Sequence, residues 1–327
     1  MQYILIRGAN RILKEVIVME KVMAYLPKVF QDQFHNLQND IFENIEEIRI
    51  RINRPIEITV HQNTIFLPYI TQIKDAEQLL NNISHHSIYT LDEELKRGYI
   101  TIEGGHRIGL AGRVILENGK VKAIRDVSSF NIRIAKEKIG VAERWLPYIY
   151  RSGWKNTMII GPPQTGKTTL LRDFARMISM GLPEANIEPK KVGIVDERSE
   201  IAGSVGGIPQ LTFGVRIDVL DACPKAEGMM MMIRSMSPDV LIVDEIGRKE
   251  DTEAILDAVH AGICLIMTTH GDSYQDLLNR PTLKPILTEK IFERYIELTR
   301  GKGPGYVAAI KDEGGNQFPI RRVSHIC

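Results

Sequence analysis

One stretch near the middle of the chain, Gly161-Pro162-Pro163-Gln164-Thr165-Gly166-Lys167-Thr168-Thr169, leaves few folds open. It follows the apolar run Thr157 to Ile160 and precedes Leu170 and Leu171 at the start of a helical pattern. The pattern G-x-x-x-x-G-K-[ST] therefore stands between a strand and a helix, the setting its chemistry needs. Gly161 and Gly166 let successive backbone N–H groups turn inward toward a phosphate chain. A helix beginning near Lys167 adds the positive end of its dipole. Lys167 supplies a mobile cation for the β- and γ-phosphates, and the Thr168 hydroxyl offers a hard oxygen to Mg²⁺. Residues Gly161 to Thr169 are thus the expected binding loop for a nucleoside triphosphate.

Downstream, Ser237-Pro238-Asp239-Val240-Leu241-Ile242-Val243-Asp244-Glu245-Ile246-Gly247 reads as a buried parallel strand ending in two carboxylates. Asp244 is placed to hold Mg²⁺ through water, and Glu245 to polarise an attacking water, which favours hydrolysis over transfer to a small acceptor. A further apolar run ends Met267-Thr268-Thr269-His270-Gly271. If its strand lies between the two motif strands, His270, helped by Thr269, faces the γ-phosphate and senses it. The competing reading is a strand-end histidine bound to a neighbouring carbonyl. Asp196-Glu197-Arg198-Ser199-Glu200 ends another strand of the same sheet, either as a solvated turn or on the edge that forms the ligand crevice.

At 327 residues the chain has room for two domains with separate cores. The expected division is an N-terminal extension over 1–18, an α+β domain over 19–136, and a P-loop domain over 137–327. In the extension Arg7, Arg11 and Lys14 interrupt the apolar residues, which argues against a signal peptide. Glu20 to Asn39 has helical spacing broken at Pro27, and Ile45 to Val60 alternates as a hairpin. Asp75 is the expected cap of a helix through Ile83, and Leu91 to Arg97 forms a second short helix. Three strands follow, Gly98 to Ile102, His106 to Leu116 and Val121 to Arg125, with Ser128 to Ala135 a candidate fourth.

From Ala135 to Arg151 a linker and helix lead into a β-α-β alternation, the pattern of an α/β parallel sheet flanked by helices. Its strands are Met158 to Ile160, Val192 to Asp196, Val240 to Asp244 and Ile263 to Thr268, with a terminal hairpin of Tyr295 to Thr299 and Tyr306 to Ile310. Met229 to Met232 cover every face of a helix, which suits deformable packing rather than a cofactor box. His85-His86 has no carboxylate or cysteine at ligand spacing and reads as a solvated helix end.

Composition excludes several classes. A net charge of +1 announces no nucleic-acid partner. Cys223, Cys264 and Cys327 are widely spaced, against a disulfide framework or zinc site. No apolar run reaches the roughly 18–20 residues of a membrane span. The first domain carries Arg107, Arg113, Arg125 and Arg133 on strands. Solvated faces would accommodate them, but in an oligomer one or two could reach a phosphate across an interface.

The lead-in Ile233-Arg234-Ser235-Met236-Ser237-Pro238-Asp239 to Val243-Asp244-Glu245-Ile246-Gly247 resembles that of the secretion (traffic) ATPases of type II and type IV systems. Val195-Asp196-Glu197 is similar to their acidic box and Thr268-Thr269-His270 to their histidine box. Three longer segments, Asp196 to Gly203, Asp218 to Met230 and Glu103 to Val114, resemble a sporulation branch of that superfamily in endospore-forming bacteria. The likeness spans Glu20 to the C-terminus. Asp244 stands where many secretion ATPases have a small residue, and Gln164 likewise departs from the pattern.

The resemblance to secretion ATPases implies that the parallel sheet is RecA-like. It also implies an ATPase using ATP and Mg²⁺, with Arg107, Arg113 and Arg133 donated to nucleotide from the N-terminal domain. It implies a homo-oligomeric ring such as a hexamer, on the mother-cell cytoplasmic face of sporulation membrane proteins forming a channel to the forespore. No direct nucleic-acid partner and no transmembrane segment are expected. The rival readings are a nucleic-acid translocase or other RecA-like motor, a transporter-type ATPase subunit, a small-molecule kinase and a non-catalytic nucleotide-binding scaffold. The transporter subunit lacks its Leu-Ser-Gly-Gly-Gln signature here.

Overall fold

The computed structural model describes residues 19–61, 63–84, 96, 98–301 and 303–320. The expectations for Met1 to Val18, for His85-His86 and for the helix over Leu91 to Arg97 (save Lys96) lie outside the described residues. The chain divides after Lys136 into two compact units.

The first unit is built on a six-stranded antiparallel sheet: β1 (Ile45–Arg51), β2 (Pro55–Val60), β3 (Asn63–Ile70), β4 (Tyr99–Ile102), β5 (His106–Glu117) and β6 (Lys120–Arg133). The spatial order is β3-β2-β1-β6-β5-β4. Strand side chains alternate between faces, so Ile48, Ile50, Ile56, Ile58, Ile108 and Ile132 share one buried face. Helices α1 (Lys28–Phe34) and α2 (Ile73–Ile83) supply Phe30, Phe34, Leu79 and Ile83 to the same core. The opposite face is polar, with Arg51 paired to Glu57 at 2.6 Å and Arg49 to Glu47 at 3.0 Å.

Three local expectations change. Asp75 is not the cap of α2 but its third helical residue; the cap is Gln72, whose N–H donates to Asp75 Oδ2 at 2.8 Å. The segments Val121 to Arg125 and Ser128 to Ala135 fall mostly within one continuous 14-residue strand, Lys120–Arg133, which ends before Ile134 and Ala135. Its irregularity is a bulge at Asp126 (φ 47°) opposite Gly112, where a Cβ would lie 2.6 Å from Arg125 O. Finally, β3 is an added strand at the sheet edge, where Pro68 is tolerated.

The second unit is a seven-stranded sheet in the order β13-β12-β7-β11-β10-β8-β9. Its strands are β7 (Thr157–Ile160), β8 (Val192–Asp196), β9 (Ile217–Asp221), β10 (Val240–Val243), β11 (Cys264–Thr269), β12 (Arg294–Leu298) and β13 (Val307–Asp312). All neighbours pair in parallel except β12 with β13. The terminal hairpin is therefore part of the main sheet, and β9 extends the opposite edge.

Both faces of this sheet are covered, as a parallel sheet requires. On one, α3 (Lys167–Met180) packs Leu170, Leu171, Phe174 and Met177 against Ile159, Ile194, Ile242 and Ile266. On the other, α4 (Lys225–Ser235) and α5 (Lys249–His260) pack Met229, Met232 and Ile255 against Met158, Val195, Leu241 and Met267. Each buried aliphatic side chain contributes about 1.5–3 kcal/mol by leaving water. Of the four methionines only Met229 and Met232 are core; Met231 is 50% exposed. Strand β11 lies between β7 and β10, which brings the ends of all three motif strands side by side.

Candidate active site

The turn after β7 is held in a shape that few sequences allow. Gly166 caps α3 at φ 88°, and a Cβ there would meet Gly305 N at 3.0 Å. Gln164 is also left-handed at φ 65°, so the loop alternates backbone hands, the geometry that gathers N–H groups into an anion-binding concavity. Thr165 Oγ1 donates to Pro162 O at 2.8 Å, and Gly305 N–H donates to Thr165 O at 2.8 Å. Arg300 donates to Pro163 O at 3.0 Å. The segment around Arg300 to Gly305 thus braces the loop from outside, a role no local motif announced.

Lys167 is 5% exposed, and its Nζ donates to Gly161 O at 2.8 Å and Pro162 O at 3.0 Å. Burial pushes its pKa down, while the charges of Asp244 and Glu245 work against that shift. Its remaining direction is toward His270 Nδ1, 3.3 Å away. An ammonium can only donate, so Nδ1 is the acceptor and the ring proton stands at Nε2. That nitrogen faces Glu245 Oε1 at 3.0 Å. His270 therefore bridges the loop lysine and the second acid.

Thr168 Oγ1 donates to Asp244 Oδ2 at 2.7 Å, and the hydroxyl of Thr268 donates to Asp244 Oδ1. Glu245 has φ 54°, a conformation few non-glycine residues adopt, and its N–H donates to Thr268 Oγ1 at 2.8 Å. The residue expected to assist His270, Thr269, instead donates to Ile246 O at 2.9 Å. Thr268, one residue earlier, ties the two acids together because alternate side chains of β11 point to opposite sides.

Beyond Glu245 a cleft is lined by Asp196, Glu197, Arg198, Glu200, Lys225 and Asp244. Buried Asp196 accepts N–H donors from Glu200, Ile201 and Ala202, each at 2.9 Å. Burial nonetheless outweighs those bonds and raises its pKa to about 6. Glu197 pairs with Lys225 at 2.5 Å, and Arg198 Nη1 with Glu245 Oε2 at 2.9 Å. Neither partner was visible from spacing alone.

The donor set fits a small hard cation. Thr168 and Asp244 bring hydroxyl and carboxylate oxygens together. Among the described residues no cluster of three or more His, Cys, Asp or Glu could form an all-protein cage. Mg²⁺ needs no such cage, since it keeps waters and substrate oxygens as ligands.

The candidate arginines belong to the first unit. Arg107 lies 3.5 Å over the Tyr99 ring, Arg113 pairs with Asp126 at 2.8 Å, and Arg133 approaches Glu47 at 4.0 Å. Arg107 and Arg133 are direct cross-strand neighbours, with Glu47 next in the row, while Arg113 is set apart on the long β5–β6 ribbon.

The fold is that of the secretion ATPases. The pilus retraction motor PilT bound to ADP superposes with a TM-score of 0.57 at 16% identity, covering 83% of this chain and 80% of that one. The ATPase DotB of Legionella pneumophila gives 0.55 at 16% identity, with 82% and 75% covered. In sequence, the stage III sporulation protein AA of Bacillus subtilis is 58% identical over 298 residues, 91% of this chain and 96% of the relative. The family model for sporulation stage III, protein AA matches residues 19–318. With that match running through both units, this chain belongs to the sporulation stage III protein AA family.

Proposed function

We propose that the chain is a Mg²⁺-dependent ATPase that powers or gates a membrane-associated, secretion-like channel complex between mother cell and forespore. The observation that carries this reading is the convergence of Lys167, Thr168, Asp244, Glu245 and His270 at the carboxyl ends of three adjacent strands. The backbone of Gly161 to Thr169 and the Lys167 ammonium bind the triphosphate. Thr168 and Asp244 would hold Mg²⁺, which supplies charge neutralisation on the phosphate oxygens when bound. Glu245 orients the attacking water by accepting its proton.

His270 gives the site its readout. Lys167 approaches Nδ1 of His270, and Nε2 of the same ring meets Glu245. A γ-phosphate draws the Lys167 ammonium to itself, the imidazole loses that contact, and the change reaches Glu245 one bond network away. Arg107, Arg113 and Arg133 are proposed to reach nucleotide from the first unit in a homo-oligomeric ring, the step that converts turnover into movement between units. Sporulation as the setting is supported by the family match, and ATP as the nucleotide by the ATPases of the same fold. A location at the cytoplasmic face of the membrane, on partner membrane proteins, completes the reading. Among the described residues no helix is long and apolar enough to cross a membrane.

The test is ATP binding by wild type and Lys167→Ala in the presence of Mg²⁺, with particle mass measured in the same samples. Loss of a charge-assisted contact worth about 1.5–3 kcal/mol should weaken binding ~10- to 100-fold. Wild type should also form a larger species with ATP. Equal affinity in the two proteins would remove the loop from the nucleotide site, and a monomer under all conditions would remove the ring.

A further inference from the structure

Glu245 is held at both carboxylate oxygens. His270 Nε2 contacts Oε1 at 3.0 Å, and Arg198 Nη1 contacts Oε2 at 2.9 Å. The Arg198 side chain is 57% exposed, and an exposed ion pair on a loose turn contributes little, because ordering two long side chains offsets the attraction. This turn is not loose. Asp196 fills its interior and accepts three backbone N–H groups. From outside, the half-buried Arg172 donates to Ile201 O at 2.7 Å and Glu200 O at 2.6 Å. Ser199, left-handed at φ 54°, donates its hydroxyl to Asp221 Oδ1 at 2.6 Å.

Arg172 lies on α3, the helix that begins with Lys167 and Thr168. The turn carrying Arg198 is therefore braced to the same rigid element that carries the phosphate-binding lysine. Glu245 is anchored at its backbone by Thr268, but its carboxylate still has freedom about the side-chain bonds. His270 alone fixes one oxygen; a second contact, from a mount in register with the phosphate loop, fixes the plane.

We propose that Arg198 is a positioning residue for ATP hydrolysis: through its contact with Oε2 it holds the Glu245 carboxylate in the orientation from which it accepts the proton of the attacking water. The inference rests on Glu245 having that role. The contact runs through Nη1, and what the proposal requires at that point is a cationic donor.

The experiment measures kcat and ATP affinity for wild type, Arg198→Ala, Arg198→Lys, Glu245→Gln and the double variant Arg198→Ala/Glu245→Gln, with Mg²⁺. Misplacing a reacting group by about 1 Å costs on the order of 10²-fold. Arg198→Ala is accordingly expected to lower kcat ~10- to 100-fold, with ATP affinity unchanged. Arg198→Lys should recover most of the loss, and the double variant should be no slower than Glu245→Gln.

Unchanged or raised turnover in Arg198→Ala overturns the proposal, the latter because it would make the contact an inhibitory latch. Weakened ATP binding with kcat intact also overturns it, making Arg198 a phosphate ligand. A loss in the double variant beyond that of Glu245→Gln, or a Lys variant as slow as the Ala variant, does the same. Normal turnover by Glu245→Gln itself would instead remove the underlying role of Glu245. Should Arg198→Ala lose its fold by circular dichroism, Arg198→Gln, close in reach and uncharged, carries the same comparisons.

Discussion

Thr268 ties the two acids of the site together. It is fully buried, donates to Asp244 and accepts the N–H of Glu245, so one hydroxyl fixes the side chain of one acid and the backbone of the next. Thr268→Val keeps the volume and β-branching but leaves a buried N–H and a carboxylate oxygen without their partner, at a cost of about 1–3 kcal/mol. The expected outcome is a lower melting temperature together with ~10-fold slower phosphate release, since the misplaced acid is the one the chemistry needs. An unchanged melting temperature would show that water replaces the hydroxyl. Lys167, Thr168, Asp244, Glu245 and His270 were all legible as motif residues, because each sits at a fixed step from a glycine or a strand end. Thr268 and Arg198 stood within motif segments but carried no role there. Their importance comes from contacts between strand ends far apart in sequence, which no local spacing encodes.

Among the elements, α4 packs against β8 closely enough that its glycine matters. A Cβ on Gly228 would lie 2.4 Å from Val195 Cγ1 and 3.2 Å from Cys223 Sγ. Val195 is buried, and a β-branched side chain has little rotamer freedom with which to yield. Alanine gains up to about 1 kcal/mol in helix propensity over glycine, against roughly 1–3 kcal/mol for overpacking a filled core. Gly228→Ala should therefore lower the melting temperature in a thermal scan; a rise would mean that α4 can shift without loss. Sequence periodicity located α4 and the interior strands β7, β8, β10 and β11, whose unbroken apolar runs follow from burial on both faces. Two of the edge strands, β9 and β3, were harder. In β9 every residue is only half-buried, so no alternation or apolar run is produced, and Asp218 and Asp221 weaken the signal further. In β3, Phe66 and Ile70 are exposed and Pro68 interrupts the pattern. The single strand β6 was read as two because its bulge at Asp126 resets the phase of the side chains.

For the molecule as a whole, the βαβ alternation announced the parallel α/β unit, and the mixture of hairpins and helices announced the α+β unit before it. What composition left hidden is a buried histidine. His106 is fully buried; its Nδ1 accepts the N–H of Ala135 at 3.0 Å, and burial lowers its pKa from 6.5 to about 4. Between those values the unfolded chain binds a proton that the folded chain refuses, so stability is lost as pH falls through that window, by up to ~3 kcal/mol. Asp196 titrates in the same range with the opposite sign, but equally in wild type and in His106→Asn, so the difference between the two proteins isolates the histidine. Urea unfolding followed by circular dichroism should show that difference growing by most of this amount from pH 4.5 to pH 7, and a flat difference would contradict it. Trp145 and Trp154 both lie in the second unit, so tryptophan fluorescence is the wrong probe for the first. The central claim is that acids and lysine at adjoining strand ends act together on one triphosphate. It is tested most directly by phosphate release from saturating ATP and Mg²⁺ by wild type and Glu245→Gln, with ATP binding measured alongside. The account expects turnover to fall ~10²- to 10⁴-fold in the variant while binding is retained; equal rates in the two proteins would contradict it.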